Sequence, residues 1–344
     1  MIANRFWSSQ SVLRFGLSSH FIFLCATLMM LVVGGSGRAC LGEDQISRVT
    51  HTYKQVGDLE IQADVYRLPG DDVRPAVIWI HGGALIMGDR DMQGWRPLER
   101  QLERYLQAGY VVISIDYRLA PETKFPAIIE DLQDAYAWVH EQGTEEFNID
   151  PNRIAVIGSS AGGYLTLMAG FCVEPRPKAL VAFYGYGDII GPWYSQPDPF
   201  YNREPPVSEE RARRAVGDRP IARSPFDDER DVIYVFCRQR GLWPQEVVGM
   251  DPAKEREAFT KYCPLQNISP EYPPTLLLHG DKDSDVPYEQ SVFMADELKR
   301  HGVEYKLLTM QGHDHMFDLF DENAPEVKAA IDEVIVFLNN HLRE

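Results

Sequence analysis

Gly158-Ser159-Ser160-Ala161-Gly162-Gly163 follows the short run Arg153-Ile154-Ala155-Val156-Ile157 and precedes Tyr164-Leu165-Thr166-Leu167-Met168-Ala169. The first run has the length and β-branched content of a buried strand, and the second can wind as a helix. A serine set among glycines at a strand-to-helix turn is a nucleophile elbow. So sharp a turn needs small flanking residues, and it leaves the Ser160 hydroxyl exposed above the sheet. The helix that follows directs free N–H groups and its positive dipole end toward the reacting atoms, where negative charge would develop. A bare Gly-x-Ser-x-Gly is common by chance, so its surroundings must carry its meaning.

On its N-terminal side lies the apolar strand Ala76-Val77-Ile78-Trp79-Ile80, which runs straight into His81-Gly82-Gly83-Ala84. Leu98, Leu102, Tyr105 and Leu106 then recur at helical spacing, and Val111 to Ile115 reads as another buried strand. Asp116-Tyr117-Arg118-Leu119-Ala120-Pro121 leads to a second amphipathic helix through Ile128, Leu132, Ala135, Tyr136 and Val139. Beyond the elbow, Ala179 to Tyr184 gives a fourth strand. This alternation of strand and helix predicts a parallel sheet. Farther upstream, Val49 to Val56 and Leu59 to Tyr66 flank Gly57-Asp58 and predict an antiparallel hairpin. Downstream, strands are expected at Thr275 to Leu278 and Tyr305 to Leu308, with a helix bearing Val292, Ala295 and Leu298 between them. A closing helix carries Val327, Ile331, Val334 and Leu338 and is entered near Pro325. The predicted class is α/β: a mostly parallel central sheet, an antiparallel N-terminal hairpin and helices on both faces.

The rhythm stops from about 187 to 272. That stretch holds 11 of the 23 prolines, together with Trp193, Tyr194, Phe200, Tyr201 and Trp243. Its place between two sheet strands predicts a cap over the strand ends, where open α/β sheets bind ligands. A decorated surface excursion is the plainer alternative.

The chain has 344 residues, 44% hydrophobic and 25% charged, and a net charge of -17. Such an acidic balance argues against nucleic acid or anionic lipid as a partner. Residues 1–39 have the order of a secretory signal: a segment with Arg5 and Arg14, the apolar run Phe21 to Val33, then small residues up to Ala39. That run is short for a bilayer span. Removing residues 1–39 takes away three Arg and no acid, leaving 31 basic and 51 acidic residues and a net charge of -20. The remaining unit, 40–344, is expected to be one catalytic domain. It would begin at Cys40, so membrane association is expected only if that cysteine carries lipid. The five cysteines, at 25, 40, 172, 237 and 263, form no C-x-x-C pair. Cys237 and Cys263, within one insertion, are either a disulfide or two buried thiols.

A serine hydroxyl needs a base, and the base needs an orienting carboxylate. Both residue types occur after the last two strands, in His279-Gly280-Asp281-Lys282-Asp283-Ser284-Asp285-Val286-Pro287 and in Gly312-His313-Asp314-His315-Met316-Phe317. Asp281, Asp283 and Asp285 are open as the acid, and His313 and His315 as the base. The order Ser, acid, His is that of the α/β-hydrolases.

With the HGGA loop, the DYRLAP segment, the GSSAG elbow and the two C-terminal turns, the chain resembles α/β-hydrolases of the esterase and lipase kind. It is close to the hormone-sensitive-lipase-like and bacterial carbohydrate-esterase-like groups over about residues 75–320. The resemblance implies Ser160 as nucleophile, Asp283 as acid and His315 as base. Asp281 and Asp285 are then expected to be solvated turn carboxylates. His313 and Asp314 stand where the family usually has small residues. By resemblance the oxyanion hole takes the backbone N–H groups of Gly83, Ala84 and Ala161, with Ala84 in place of a usual glycine. His81 is read as packing beneath that loop, and Asp116 and Arg118 as scaffold. No cofactor is implied, and the His-x-His pair lacks the further ligands of a metal site.

The expected activity is exported serine ester hydrolysis on a small-molecule or carbohydrate ester, including acetyl or feruloyl esters of polysaccharide. Two rivals are a prolyl-oligopeptidase-type peptidase, whose usual large N-terminal propeller has no room here, and a binding protein on a hydrolase scaffold, which would normally have lost one of the three residues.

Overall fold

The computed structural model describes residues 46–224, 226 and 229–343. The signal-peptide reading of 1–39 and the Cys40 alternative lie outside the described residues. Eight strands form one sheet: β1 (Ser47–Val56), β2 (Leu59–Arg67), β3 (Arg74–Ile80), β4 (Val111–Ile115), β5 (Ile149–Ser159), β6 (Ala179–Phe183), β7 (Thr275–Gly280) and β8 (Tyr305–Met310). Their spatial order is β1-β2-β4-β3-β5-β6-β7-β8. The β1–β2 hairpin is antiparallel, and β2 joins β4 antiparallel. From β4 to β8 every pairing is parallel, so the architecture read from the sequence is the one observed.

Side-chain alternation along the strands divides the core in two. Ile78, Ile113, Val156 and Ala182 face one layer, and Val77, Val112, Ile157 and Val181 face the other. Helix α1 (Arg96–Gln107) and helix α10 (Pro325–Leu342) cover the second face through Leu98, Leu102, Val334 and Leu338. The first face is covered by α2 (Phe125–Phe147), α3 (Ala161–Cys172) and α8 (Glu289–Arg300). A sheet buried on both sides explains why its central strands read as continuous apolar runs. Each such Val or Ile contributes roughly 1.5–3 kcal/mol of burial free energy.

β5 starts earlier than its apolar run indicates, at Ile149. Asn148 ends α2 in the left-handed conformation, and β5 resumes pairing with β3 across an irregularity. The segment 187–272 contains α4 (Pro192–Ser195), α5 (Glu209–Arg214), α6 (Asp231–Arg240), α7 (Trp243–Val248) and short 3-10 turns. It contributes no strand to the sheet among the described residues. One isolated bridge joins its Ser224 to Gly88. Cys172, Cys237 and Cys263 are free thiols, so the structure takes the unbridged alternative for the last two. No helix of the described residues is long and apolar enough to cross a membrane.

Candidate active site

Ser160 stands between β5 and α3 with φ 55° and ψ −118°, a conformation that a side-chain-bearing residue adopts only under constraint. Two glycines make the turn possible. A Cβ on Gly158 would lie 2.3 Å from the Gly162 carbonyl oxygen, and one on Gly162 would lie 2.0 Å from the Ile80 carbonyl oxygen. The Ser160 N–H donates to the Phe183 carbonyl at 2.9 Å, which pins the elbow to the end of β6.

The turns after β7 and β8 meet this serine. His315 Nε2 is 3.1 Å from Ser160 Oγ, and Nδ1 is 2.7 Å from Asp283 Oδ2. With Nδ1–H donating to the carboxylate, Nε2 presents its lone pair to the hydroxyl, which is the tautomer a general base requires. The other Asp283 oxygen accepts the N–H groups of Asp285 and Val286 at 2.9 and 2.8 Å. Burial pushes the Asp283 carboxyl up, but the His315 charge and hydrogen bonds from His279 and His315 hold it well below the usual carboxylate range. Burial pulls His315 down. The charge and hydrogen bond of Asp283, with Asp285 and Asp314 nearby, outweigh that and leave it raised to about 9. Tyr184, at the end of β6, packs its ring 4.5 Å from the imidazole and donates its hydroxyl to buried Asp318 at 2.7 Å. Strand composition alone had not distinguished Tyr184 from its apolar neighbours.

The remaining candidates take other partners. His313 lies between Asp321 at 2.8 Å and Glu326 at 3.1 Å, beside α9 (Phe317–Phe320) and the start of α10. Asp281 accepts the Gly312 N–H at 2.6 Å and braces the two turns. Asp285 departs from the expectation of a solvated carboxylate. Its Oδ1 accepts from Tyr201 and Tyr234 hydroxyls at 2.8 and 2.6 Å and from Arg238 Nη1 at 2.6 Å, while Oδ2 lies 3.6 Å from His315 Nε2. Arg238 is 1% exposed and also pairs with Asp198. The sequence gives no sign of this cluster, because its members lie on α6, on the loop around Tyr201 and on the turn after β7.

The loop after β3 bends back through three residues at positive φ: Gly83 at 104°, Ala84 at 57° and Leu85 at 62°. Its closing bonds run from the Ile86 and Met87 N–H groups to the Gly83 carbonyl, at 2.9 and 3.0 Å. Among the described residues no backbone hydrogen bond of this loop uses the Gly83 or Ala84 N–H. Ala161 opens α3, so its N–H has no acceptor within the helix. The insertion fastens the loop: the Trp243 indole donates to the Ala84 carbonyl at 3.0 Å, and Arg230 donates to the Ile86 and Ala120 carbonyls at 3.0 and 2.8 Å. His81 stacks on Tyr117 at 4.3 Å and donates from Nδ1 to the Gly82 carbonyl at 2.8 Å. Burial lowers its imidazole to about 4, which keeps it neutral. Arg118 forks onto Asp131 with both contacts at 2.7 Å, and Asp116 pairs with Arg90, so both residues hold loops beneath the site. No group of three metal-ligating side chains comes together among the described residues.

The sequence profile of the alpha/beta hydrolase fold family matches residues 77–319. The esterase LipC of Mycobacterium tuberculosis is 30% identical over 263 residues, covering 75% of this chain and 57% of its own. The non-reducing polyketide synthase pkbA of Emericella nidulans is 29% identical over 328 residues, covering 78% of this chain and 13% of its own length. The chain thus spans only part of these relatives. A thermophilic, thermostable carboxylesterase cloned from a metagenomic library superposes with a TM-score of 0.62 at 24% identity, over 87% of this chain and 90% of the other, a likeness of fold.

Proposed function

The chain belongs to the α/β-hydrolase fold family, and from that premise we propose that it is a serine carboxylic-ester hydrolase working through Ser160, His315 and Asp283. The observation that carries this reading is the unbroken hydrogen-bonded chain from Ser160 Oγ through His315 to Asp283, above the carboxyl ends of β5, β7 and β8. His315 Nε2 takes the hydroxyl proton as Ser160 Oγ attacks the ester carbonyl. The tetrahedral oxyanion forms beside the N–H groups of Gly83, Ala84 and Ala161. Removing one such donor typically costs about 3 kcal/mol of transition-state stabilisation. His315 then returns the proton to the leaving alcohol, and water, activated by the same imidazole, releases the acid from the acyl-enzyme.

The insertion acts as a cap, a reading supported by the hydrogen bonds that Trp243, Arg230 and Arg238 make to the loops around Ser160. Acetyl or feruloyl esters of polysaccharide are the substrates the family resemblance favours. Residues 1–39 direct export, and a first residue at Cys40 in protein recovered from outside the cytoplasm would support that assignment.

Hydrolysis of p-nitrophenyl acetate and butyrate tests the central reading. Ser160→Ala lowers kcat by roughly 10⁴- to 10⁶-fold, and equal rates in the two proteins would refute it.

A further inference from the structure

The proton that His315 returns must reach the alcohol oxygen of the ester, so that oxygen sits within hydrogen-bond reach of Nε2, about 3 Å away. Asp285 Oδ2 is 3.6 Å from the same nitrogen. Its partner oxygen, Oδ1, carries three donors, Tyr201, Tyr234 and Arg238, at 2.6–2.8 Å, whereas no hydrogen bond among the described residues falls on Oδ2. The carboxylate is therefore fixed from one side and open toward the reacting atoms. Because Nε2 must also reach the alcohol oxygen, an open acceptor at that distance from it is within reach of a substituent on the alcohol half.

We infer that Asp285 is a specificity residue for the alcohol half of the substrate, accepting a hydrogen bond from a hydroxyl on the carbon adjacent to the one that bears the ester oxygen. The substrate class is then a partial ester of a vicinal diol, as in polyols and sugars. The donated proton stays on the substrate hydroxyl, so no step of the reaction changes. This inference rests on the ester-hydrolase reading of the same site and adds the identity of the leaving group to it.

Two acetates of nearly equal size separate the cases. 2-Hydroxyethyl acetate carries the adjacent hydroxyl, and propyl acetate has a methyl in its place. Hydrogen bonds to charged groups are strong enough for the parent protein to favour the hydroxylated ester by about tenfold or more in kcat/KM. In Asp285→Asn the amide must turn its carbonyl oxygen toward Arg238 and the two tyrosines, which leaves its NH₂ facing the site in place of an acceptor. The preference should then fall to about one. A parent ratio near one overturns the inference without recourse to any variant. So does an Asp285→Asn protein that slows on both esters equally, because that pattern belongs to a group acting through His315. If the parent protein fails to hydrolyse p-nitrophenyl acetate, the reading of the site falls and the inference falls with it; hydrolysis of that ester with no hydroxyl preference removes the inference alone.

Discussion

At the scale of single residues, the two histidines of the last turn are both raised by carboxylate neighbours but serve different ends. His315 must be neutral to take the Ser160 proton, yet its surroundings favour the imidazolium and raise it to about 9. The acid limb of kcat/KM for p-nitrophenyl acetate should therefore lie above the ordinary imidazole value of 6.5, with activity lost as pH falls through it. A limb at or below 6.5 contradicts that account. His313 is also raised: burial works against the charge, but Asp321 and Glu326 outweigh it. Its contribution is to stability. That contribution is complete below the unfolded-state value and disappears as pH rises through the higher folded value. His313→Ala should thus retain esterase activity, with a loss of Tm that is larger at pH 5 than at pH 9, whereas His315→Ala loses activity. Activity lost in His313→Ala and kept in His315→Ala would exchange their roles. The order Ser, acid, His pointed to the turns after β5, β7 and β8, which parallel strands bring to one edge of the sheet, and the family resemblance implied Ser160, Asp283 and His315 within them. Both were silent on Arg238, which reaches Asp285 from 47 residues away through an insertion without periodic pattern.

At the scale of elements, the elbow joins β5 to α3 by bringing backbone against backbone. Gly162 packs against the carbonyl oxygen at the end of β3 with no room for a methyl group. Gly162→Ala must therefore displace β3 or α3, and overpacking of this kind costs about 1–3 kcal/mol or more. The expected result is a lower urea midpoint with an unchanged m-value, together with loss of kcat because Ala161 and Ser160 move with the helix. An unchanged midpoint would show that the contact yields easily. The central strands were legible because both of their faces are buried, which makes them apolar throughout. Ile149 pairs with Arg74 at the start of β5, but Asp150, Pro151 and Asn152 fall in the irregularity before pairing resumes at Ile154, so the apolar run that marks the strand begins only there. Within the insertion the helices are as short as four residues, and periodicity has little meaning over so few turns.

At the scale of the whole molecule, the insertion and the sheet are joined through a buried charge. Arg238 is enclosed by aromatic rings, with its guanidinium carbon 4.7 Å from the Tyr201 ring and 5.1 Å from that of Tyr194, and it pairs with both Asp198 and Asp285. Removing one partner of such a pair leaves the other charge without compensation, which costs about 3–5 kcal/mol. Arg238→Met should therefore be strongly destabilising, as should Asp285→Asn to a smaller degree, since Asp198 still answers the arginine. Combining the two removes a charge of each sign, so the double variant should be more stable than the sum of the single losses predicts, by 1 kcal/mol or more in urea unfolding. Simple additivity would mean that the insertion and the turn after β7 are not energetically linked. Coupling, in contrast, would make the seating of the insertion against the turn after β7 and the orientation of Asp285 a single structural event. A variant that loosens Arg238 should then lose the hydroxyl preference of the site along with its stability.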